Sequence, residues 1–226
     1  ITENRAWPDW KDASPVTNMR TFTLEALING NAFKNQISTI MGIEGKFLVR
    51  LGDDYLSWNQ IQVVWDSGSY DYYGRPVEGK LSNINMTVNA NEWSHIAVFG
   101  EKTIKVYVNG VEKGSSTTNV PSSVNFGIAH NDEQGTRITR CFWVGYSYEH
   151  ARYFPGMMSE LRIWNRVLTA DELANATRRY GVDPKSEGLV TYWKCDEGQG
   201  DVIKAHPSYR NDLASDGLKW EPVSLP

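Results

Sequence analysis

The sequence predicts an all-β protein, a two-sheet jelly-roll sandwich carrying one short helix. Three observations predict it. Short apolar or alternating segments recur along the chain with turn signals between them. A single stretch, 154–174 (FPGMMSELRIWNRVLTADELA), runs from a strand pattern straight into a helix start. No Pro-, Gly- or Ser-rich linker, low-complexity tract or internal repeat divides the 226 residues, so 1–226 is expected to be one domain.

The elements follow in order. Residues 21–28 alternate, with Phe22, Leu24, Ala26 and Ile28 on one face. Residues 37–43 and 46–51 are parted by Glu44-Gly45, and 60–65 is a further apolar run. Residues 94–99 place Ile96 and Val98 on one face. Residues 103–111 do the same with Ile104, Val106 and Val108, and end in Asn109-Gly110, the strongest short hairpin signal. Strands are also expected at 124–129, 140–145 and 157–165. In the last, Leu161 and Ile163 point one way while Glu160, Arg162 and Trp164 point the other. Thr169 and Glu172 then form a T-x-x-E capping box. Leu173, Ala176 and Tyr180 offer an apolar helix face, and Gly181 is expected to end the helix in a left-handed cap. Such a helix is expected across a sheet edge or sandwich end, covering apolar edge surface. Residues 189–195, with Leu189, Thr191, Trp193 and Cys195 on one face, and 219–223 close the chain.

Composition excludes several function classes. A net charge of −4 without a Lys/Arg run gives no footprint for nucleic acid or an anionic membrane surface. No apolar run approaches the roughly 20 residues of a transmembrane helix, so direct membrane insertion is not expected. The start, ITENRAWPDW, has no leader character and reads like the middle of a longer protein with a neighbouring domain. Two cysteines make no disulfide framework. Cys195 reads as a buried thiol, and a Cys141–Cys195 bridge stays open.

Three pieces resemble a family. EWSHIAV followed by KVYVNGV, then YFPGMMSELRIWNRVLTADEL, then GLVTYWKCDEGQG with NDLASDGLKWEPV are similar to motifs of laminin-G-like, concanavalin A-like jelly rolls. The resemblance covers about 20–223. It implies that the strand in GLVTYWKCDEGQG, which opens most such domains, here closes one, within 187–226. Sandwich termini lie near each other, so the strand can fill the same slot from the other end. The arrangement resembles C-terminal domains of gut-bacterial surface glycan-utilisation lipoproteins. That implies a carbohydrate-facing role outside the cell or at the outer-membrane surface.

The same fold hosts glucanases, so the fold alone does not decide between binding and catalysis. Retaining glycosidases need two carboxyls about 5–5.5 Å apart, and the single-strand E-x-D-x-x-E pattern is absent. Glu160 shares its face with Arg162 and reads as a structural pair. The adjacent acidic pairs, such as Asp196-Glu197, alternate faces or sit in turns. His95 reads as structural, and His130, His150 and His206 as polar-loop residues. H-E-x-x-H, C-x-x-C and G-x-S-x-G spacings are absent. No enzyme activity and no required cofactor are expected. Ca²⁺ is the one candidate ion, with oxygen donors at Asp53-Asp54 and at Asn131-Asp132-Glu133.

The aromatic load, 9 Trp and 11 Tyr, is high. Trp93, Trp164, Trp193 and Trp220 lie in the family-like strands and read as core or edge packing. GDDYLSWNQ and DSGSYDYYGRP carry aromatics outside those patterns, interleaved with polar groups. A sugar offers an apolar C–H face to an aromatic ring and hydroxyls to polar side chains. The candidate ligand site is therefore Asp53, Asp54, Tyr55, Trp58, Tyr70, Asp71, Tyr72, Tyr73 and Arg75, for an oligo- or polysaccharide. Trp58 and Tyr72 would be its stacking platforms. GYSYEHARYF likewise carries Tyr146, Tyr148 and Tyr153, and its loop with Tyr148, Glu149, His150 and Arg152 is the second candidate. The competing function is a structural or protein-interaction sandwich that supports a neighbouring domain.

Overall fold

A computed structural model describes residues 5–31, 33, 36–128, 141–147, 152–207 and 211–225. Two antiparallel sheets face each other. The strands are β1 (Ala6–Pro8), β2 (Phe22–Gly30), β3 (Ser38–Ile43), β4 (Phe47–Asp53), β5 (Leu56–Tyr70), β6 (Pro76–Thr87), β7 (Ser94–Gly100), β8 (Ile104–Val108), β9 (Val111–Ser116), β10 (Trp143–Val144) and β11 (Gly156–Trp164). After helix α1 (Ala170–Ala174) come β12 (Leu189–Trp193), β13 (Val202–Ile203), β14 (Ala205–His206) and β15 (Leu213–Ser215). One sheet runs β13-β15-β1-β10-β3-β4-β5-β6, the other β14-β12-β11-β2-β7-β8-β9.

The core between the sheets follows from strand alternation. Phe22, Leu24, Ala26 and Ile28 of β2 point into it, with Phe47, Val49 and Leu51 of β4 opposite. Phe22, Phe47, Phe126 and Phe142 meet edge to face, with neighbouring centroids 5.0–5.9 Å apart. Trp65 lies over Gly79, where a Cβ would fall 2.0 Å from the indole nitrogen. That nitrogen donates to the Asn119 carbonyl at 2.8 Å.

The chain's last third is part of this core. β12 pairs with β11 in the register Leu161↔Trp193 and Ile163↔Thr191, and Trp193 is completely buried. Its indole donates to the Asn211 carbonyl at 2.8 Å. The two ends of the described chain meet where β1 pairs with β15.

Turn chemistry behaves as the sequence predicts in two places. Asn109 and Gly110 take φ of 50° and 79° between β8 and β9. Both capping-box hydrogen bonds form, Glu172 N–H to Thr169 Oγ1 at 3.2 Å and Thr169 N–H to Glu172 Oε2 at 2.8 Å.

Other expectations are corrected. β6 was not foreseen, because its residues are largely exposed and polar and show no apolar alternation. Residues 219–223 form no strand, and within 124–128 only Val124 bridges, to Met19. Gly181 takes φ 162°, ψ 145° rather than a left-handed cap. Of the expected helix face only Leu173 is buried. Leu189 does not share the core face of Trp193, because a register shift at Ile163/Trp164 turns it outward onto Trp164. The helix lies over a sheet face rather than an edge, where Leu173 packs with Ala97 and Phe99 of β7, Trp164 of β11 and Tyr192 of β12. His206 stands on β14, paired with Tyr192.

Both cysteines are free. Cys141 is buried beside Trp143 and Tyr146, and burial pushes its thiol up to about 12. Cys195 is half-buried, and burial raises its thiol as well. Among the described residues no helix is long and apolar enough to cross a membrane.

Candidate functional site

The outward face of β4, β5 and β6 carries a polar ladder. The register sets Arg50 opposite Gln62 and Gln62 opposite Ser82. Arg50 Nε donates to Gln62 Oε1 at 2.8 Å, and Gln62 Nε2 donates to Ser82 Oγ at 2.8 Å. A register shift between Leu51 and Asp53, with Gly52 at φ 74°, accompanies the return of Asp53 to Arg50. Arg50 Nη2 stands 3.1 Å from Asp53 Oδ2.

Ion pairs extend this ladder in both directions. Glu44 lies 3.8 Å from Arg50 and accepts from Arg152 Nη1 at 2.9 Å. Lys80 lies 3.8 Å from Asp53 and 3.7 Å from Glu78. Lys46 lies 2.8 Å from Asp66. Burial works to raise the Asp53 carboxyl, but the Asp54 N–H, Arg50, Gln62 and Lys80 together hold it below its ordinary value.

The ion-paired residues, though not Gln62 or Ser82, line an open groove of about 760 Å³ that reaches from Asp53 and Asp54 to Tyr70, Pro76 and Val77. Beyond Tyr70 a tight turn joins β5 to β6. Asp71 organises it by accepting from the N–H groups of Tyr73 and Arg75, both at 2.9 Å, and from Arg75 Nε at 2.8 Å. The Arg75 guanidinium lies 5.0 Å from the centre of the Tyr73 ring, which meets Tyr72 edge on at 5.3 Å. Tyr72 is 95% exposed, and Tyr70 and Tyr73 are exposed beside it.

The structure thus divides the nine candidate residues. Asp53, Asp54 and Tyr70 line the groove. Asp71, Tyr72, Tyr73 and Arg75 form the turn beyond one end of β5, where Asp71 and Arg75 bind each other. Tyr55 projects from the β4–β5 turn at the other end, and Trp58 lies half-buried against Gly52.

Of the second candidate stretch, Tyr148, Glu149 and His150 lie outside the described residues, as do His130 and Asn131-Asp132-Glu133. Arg152 joins the groove itself. Tyr146 is buried with Trp143, and Tyr153 packs on them, so neither offers a free platform. Glu44, Arg50, Gln62 and Lys80 were missed from sequence. The available signal was a charged residue inside an apolar run, as in FLVRL.

Among the described residues no group of three His, Cys, Asp or Glu could hold a metal ion. Asp53 in particular faces Arg50 and Lys80, so cations already occupy its surroundings.

Two carboxylates do share the outward face of the other sheet, which reading single strands could not reveal. Glu25 of β2 lies 3.5 Å from Arg162 Nη1, and Arg162 Nη2 pairs with Glu160, as expected. Tyr192 donates its hydroxyl to Glu160. Glu25 is fully buried and meets His95 Nε2 at 3.0 Å, Trp164 Nε1 at 2.6 Å and Arg178 Nη1 at 3.4 Å. Burial would raise its carboxyl, but His95, Arg162 and Arg178 outweigh that and hold it at about 2. Such a group carries no proton for a leaving group at neutral pH.

The family model describing the concanavalin A-like lectin/glucanases superfamily matches residues 6–174. No curated protein matches the chain. A solved structure described as a candidate carbohydrate binding protein from Bacteroides ovatus is 26% identical at a TM-score of 0.73, with 100% of this chain covering 59% of that one. This chain therefore spans less than two thirds of that protein. The enzymatically active domain of tailspike protein 2 from bacteriophage CBA120 is 14% identical at a TM-score of 0.51, covering 78% of this chain and 27% of that one, a likeness of fold alone.

Proposed function

The chain belongs to the concanavalin A-like lectin/glucanase superfamily, and from that premise we propose that it is a non-catalytic carbohydrate-binding module. The module serves a longer glycan-utilisation protein working outside the cell or at its outer surface. The observation that carries this reading is the open, hydrogen-bonding groove along β4–β6, with exposed tyrosines at one end. Its donors and acceptors are fixed by one another, so little ordering is needed when a ligand arrives. The candidate carbohydrate binder from Bacteroides ovatus, which matches along the whole chain, supports the same assignment.

The site comprises Asp53, Asp54 and Tyr70 in the groove, Asp71, Tyr72, Tyr73 and Arg75 at one end, and Tyr55 and Trp58 at the other. Trp58 and Tyr72 act as stacking platforms. The reading treats 1–226 as one domain whose closing strand, β12, takes the slot that relatives fill with their first. The groove is read as working without Ca²⁺, since Asp53 already faces Arg50 and Lys80.

A non-catalytic role is favoured by the buried, arginine-bound state of Glu25 and Glu160. The two-carboxyl route to glycoside hydrolysis needs a protonated acid and an accessible second carboxylate, whereas Glu25 is buried among cations and Glu160 is bound by Arg162 and Tyr192. A glycan-array screen of the 226-residue chain, with and without Ca²⁺, tests the function. Binding to a defined set of glycans is expected. An array without a single hit, given folded protein, would refute it.

A further inference from the structure

We infer that the groove takes an uncharged polysaccharide, recognised through its hydroxyls, and turns acidic or sulfated glycans away; this rests on reading that groove as the glycan site. The argument concerns which charges are still available. Lys46 is held by Asp66 at 2.8 Å. Arg50 is held by Asp53 at 3.1 Å, with Glu44 at 3.8 Å, and its Nε is taken by Gln62. Arg152 is held by Glu44 at 2.9 Å. Lys80 stands between Asp53 and Glu78, at 3.8 and 3.7 Å. Among the described residues, every cation lining the groove already has a carboxylate.

The carboxylates are in excess. Asp54 also lines the groove and makes no ion pair with any described residue. The chain as a whole carries a net charge of −4, so its far field repels polyanions too. A carboxylate or sulfate ester approaching these cations meets the like charge of Asp53, Glu44, Asp66 or Glu78, which already neutralise them. A hydroxyl meets no such obstacle, since it both donates and accepts. It can accept from a remaining N–H of Lys80 and donate to Asp54, leaving each pair intact. The exposed ring of Tyr70 then faces the sugar's C–H surface.

Native affinity electrophoresis of the whole 226-residue chain tests this. One set of gels contains galactomannan, xyloglucan, starch or inulin; the other contains polygalacturonate, alginate or chondroitin sulfate. Each is run at low and high salt. Retardation is expected in at least one neutral gel, with affinity changing less than about twofold with salt, and in none of the anionic gels. Retardation in an anionic gel that salt abolishes would overturn the inference while leaving a glycan-binding function standing. Retardation in no gel would sink the glycan reading, and the inference with it. Neutral binding that Asp54→Ala leaves unchanged would place the ligand elsewhere and overturn the assignment to this groove. A second arm releases Lys80 with the double substitution Asp53→Asn and Glu78→Gln. Retardation by polygalacturonate, absent in wild type, should then appear at low salt, a gain of roughly two- to fivefold in affinity being the worth of an exposed ion pair. A folded variant without that gain would show that pairing is not what excludes anions.

Discussion

Arg50 and Gln62 face each other across adjacent strands and share a 2.8 Å hydrogen bond, and both are buried although they lie on the outward face of their sheet. Gln62 is the joint of the polar ladder, because it also donates to Ser82. Buried polar groups without partners cost free energy, so this ladder is stable only when complete.

Gln62→Ala removes the joint and leaves Arg50 Nε without that acceptor. Chemical denaturation should show a loss of about 1–3 kcal/mol. Ser82→Ala, at the exposed end, should cost less. Equal effects would mean that the ladder does not act as described.

Glu25 makes stability depend on acid. Its carboxyl is lowered from an ordinary 4.5 to about 2 in the fold, facing His95, Arg162 and Arg178. A depressed carboxyl contributes stability that is complete above its unfolded value and is lost as pH falls through its folded value. Thermal melts should therefore fall steeply between about pH 4.5 and 2. Glu25→Gln should flatten that slope and lower Tm at pH 7, since among the described residues Arg162 then keeps Glu160 as its one carboxylate partner. Glu172, held at about 2 by Arg166, adds to the same slope. A Glu25→Gln slope identical to wild type would refute the assignment.

Thr169→Ala removes one of the two reciprocal bonds at the start of α1. A loss of about 1 kcal/mol is expected by denaturation. Because α1 covers Trp164 and Tyr192, their amides should also exchange faster. Unchanged exchange would show that the helix does not seal that face.

Trp193→Ala should cost about 3–5 kcal/mol, as for a large aromatic removed from a packed core. A chain ending at Tyr180 loses β12 through β15 and should show no cooperative melt. A truncated chain as stable as the whole would contradict one domain over 1–226.

Features encoded by neighbouring residues were legible in the sequence. Asn109-Gly110 specifies its turn with two adjacent residues, and Thr169 and Glu172 specify a helix start within one turn. Glu160 with Arg162 was legible too, as both lie on one strand face. What stayed hidden depends on strand order. Glu25 meets Arg162 only because β2 lies beside β11, and Arg50 meets Gln62 only through the β4–β5 register. β6 was missed because a half-exposed strand with Lys80, Ser82 and Asn85 has no need of apolar alternation. Within 53–75 the sequence marks only 60–65 as strand and its aromatic flanks as loops, whereas the structure extends that strand to 15 residues, with aromatic turns at its two ends.

The groove's role in glycan binding is tested most directly by calorimetry with a glycan identified on the array. One or two aromatic platforms contribute roughly 0.5–1.5 kcal/mol each beyond area burial. Wild type should therefore bind with a Kd on the order of 10 μM to 1 mM, weak for one site but adequate for many copies along a polymer. Asp54→Ala, Trp58→Ala and Tyr72→Ala should each weaken binding by about three- to tenfold, with folded circular dichroism spectra. If all three folded variants bind as tightly as wild type, the groove and its aromatic ends are not the site.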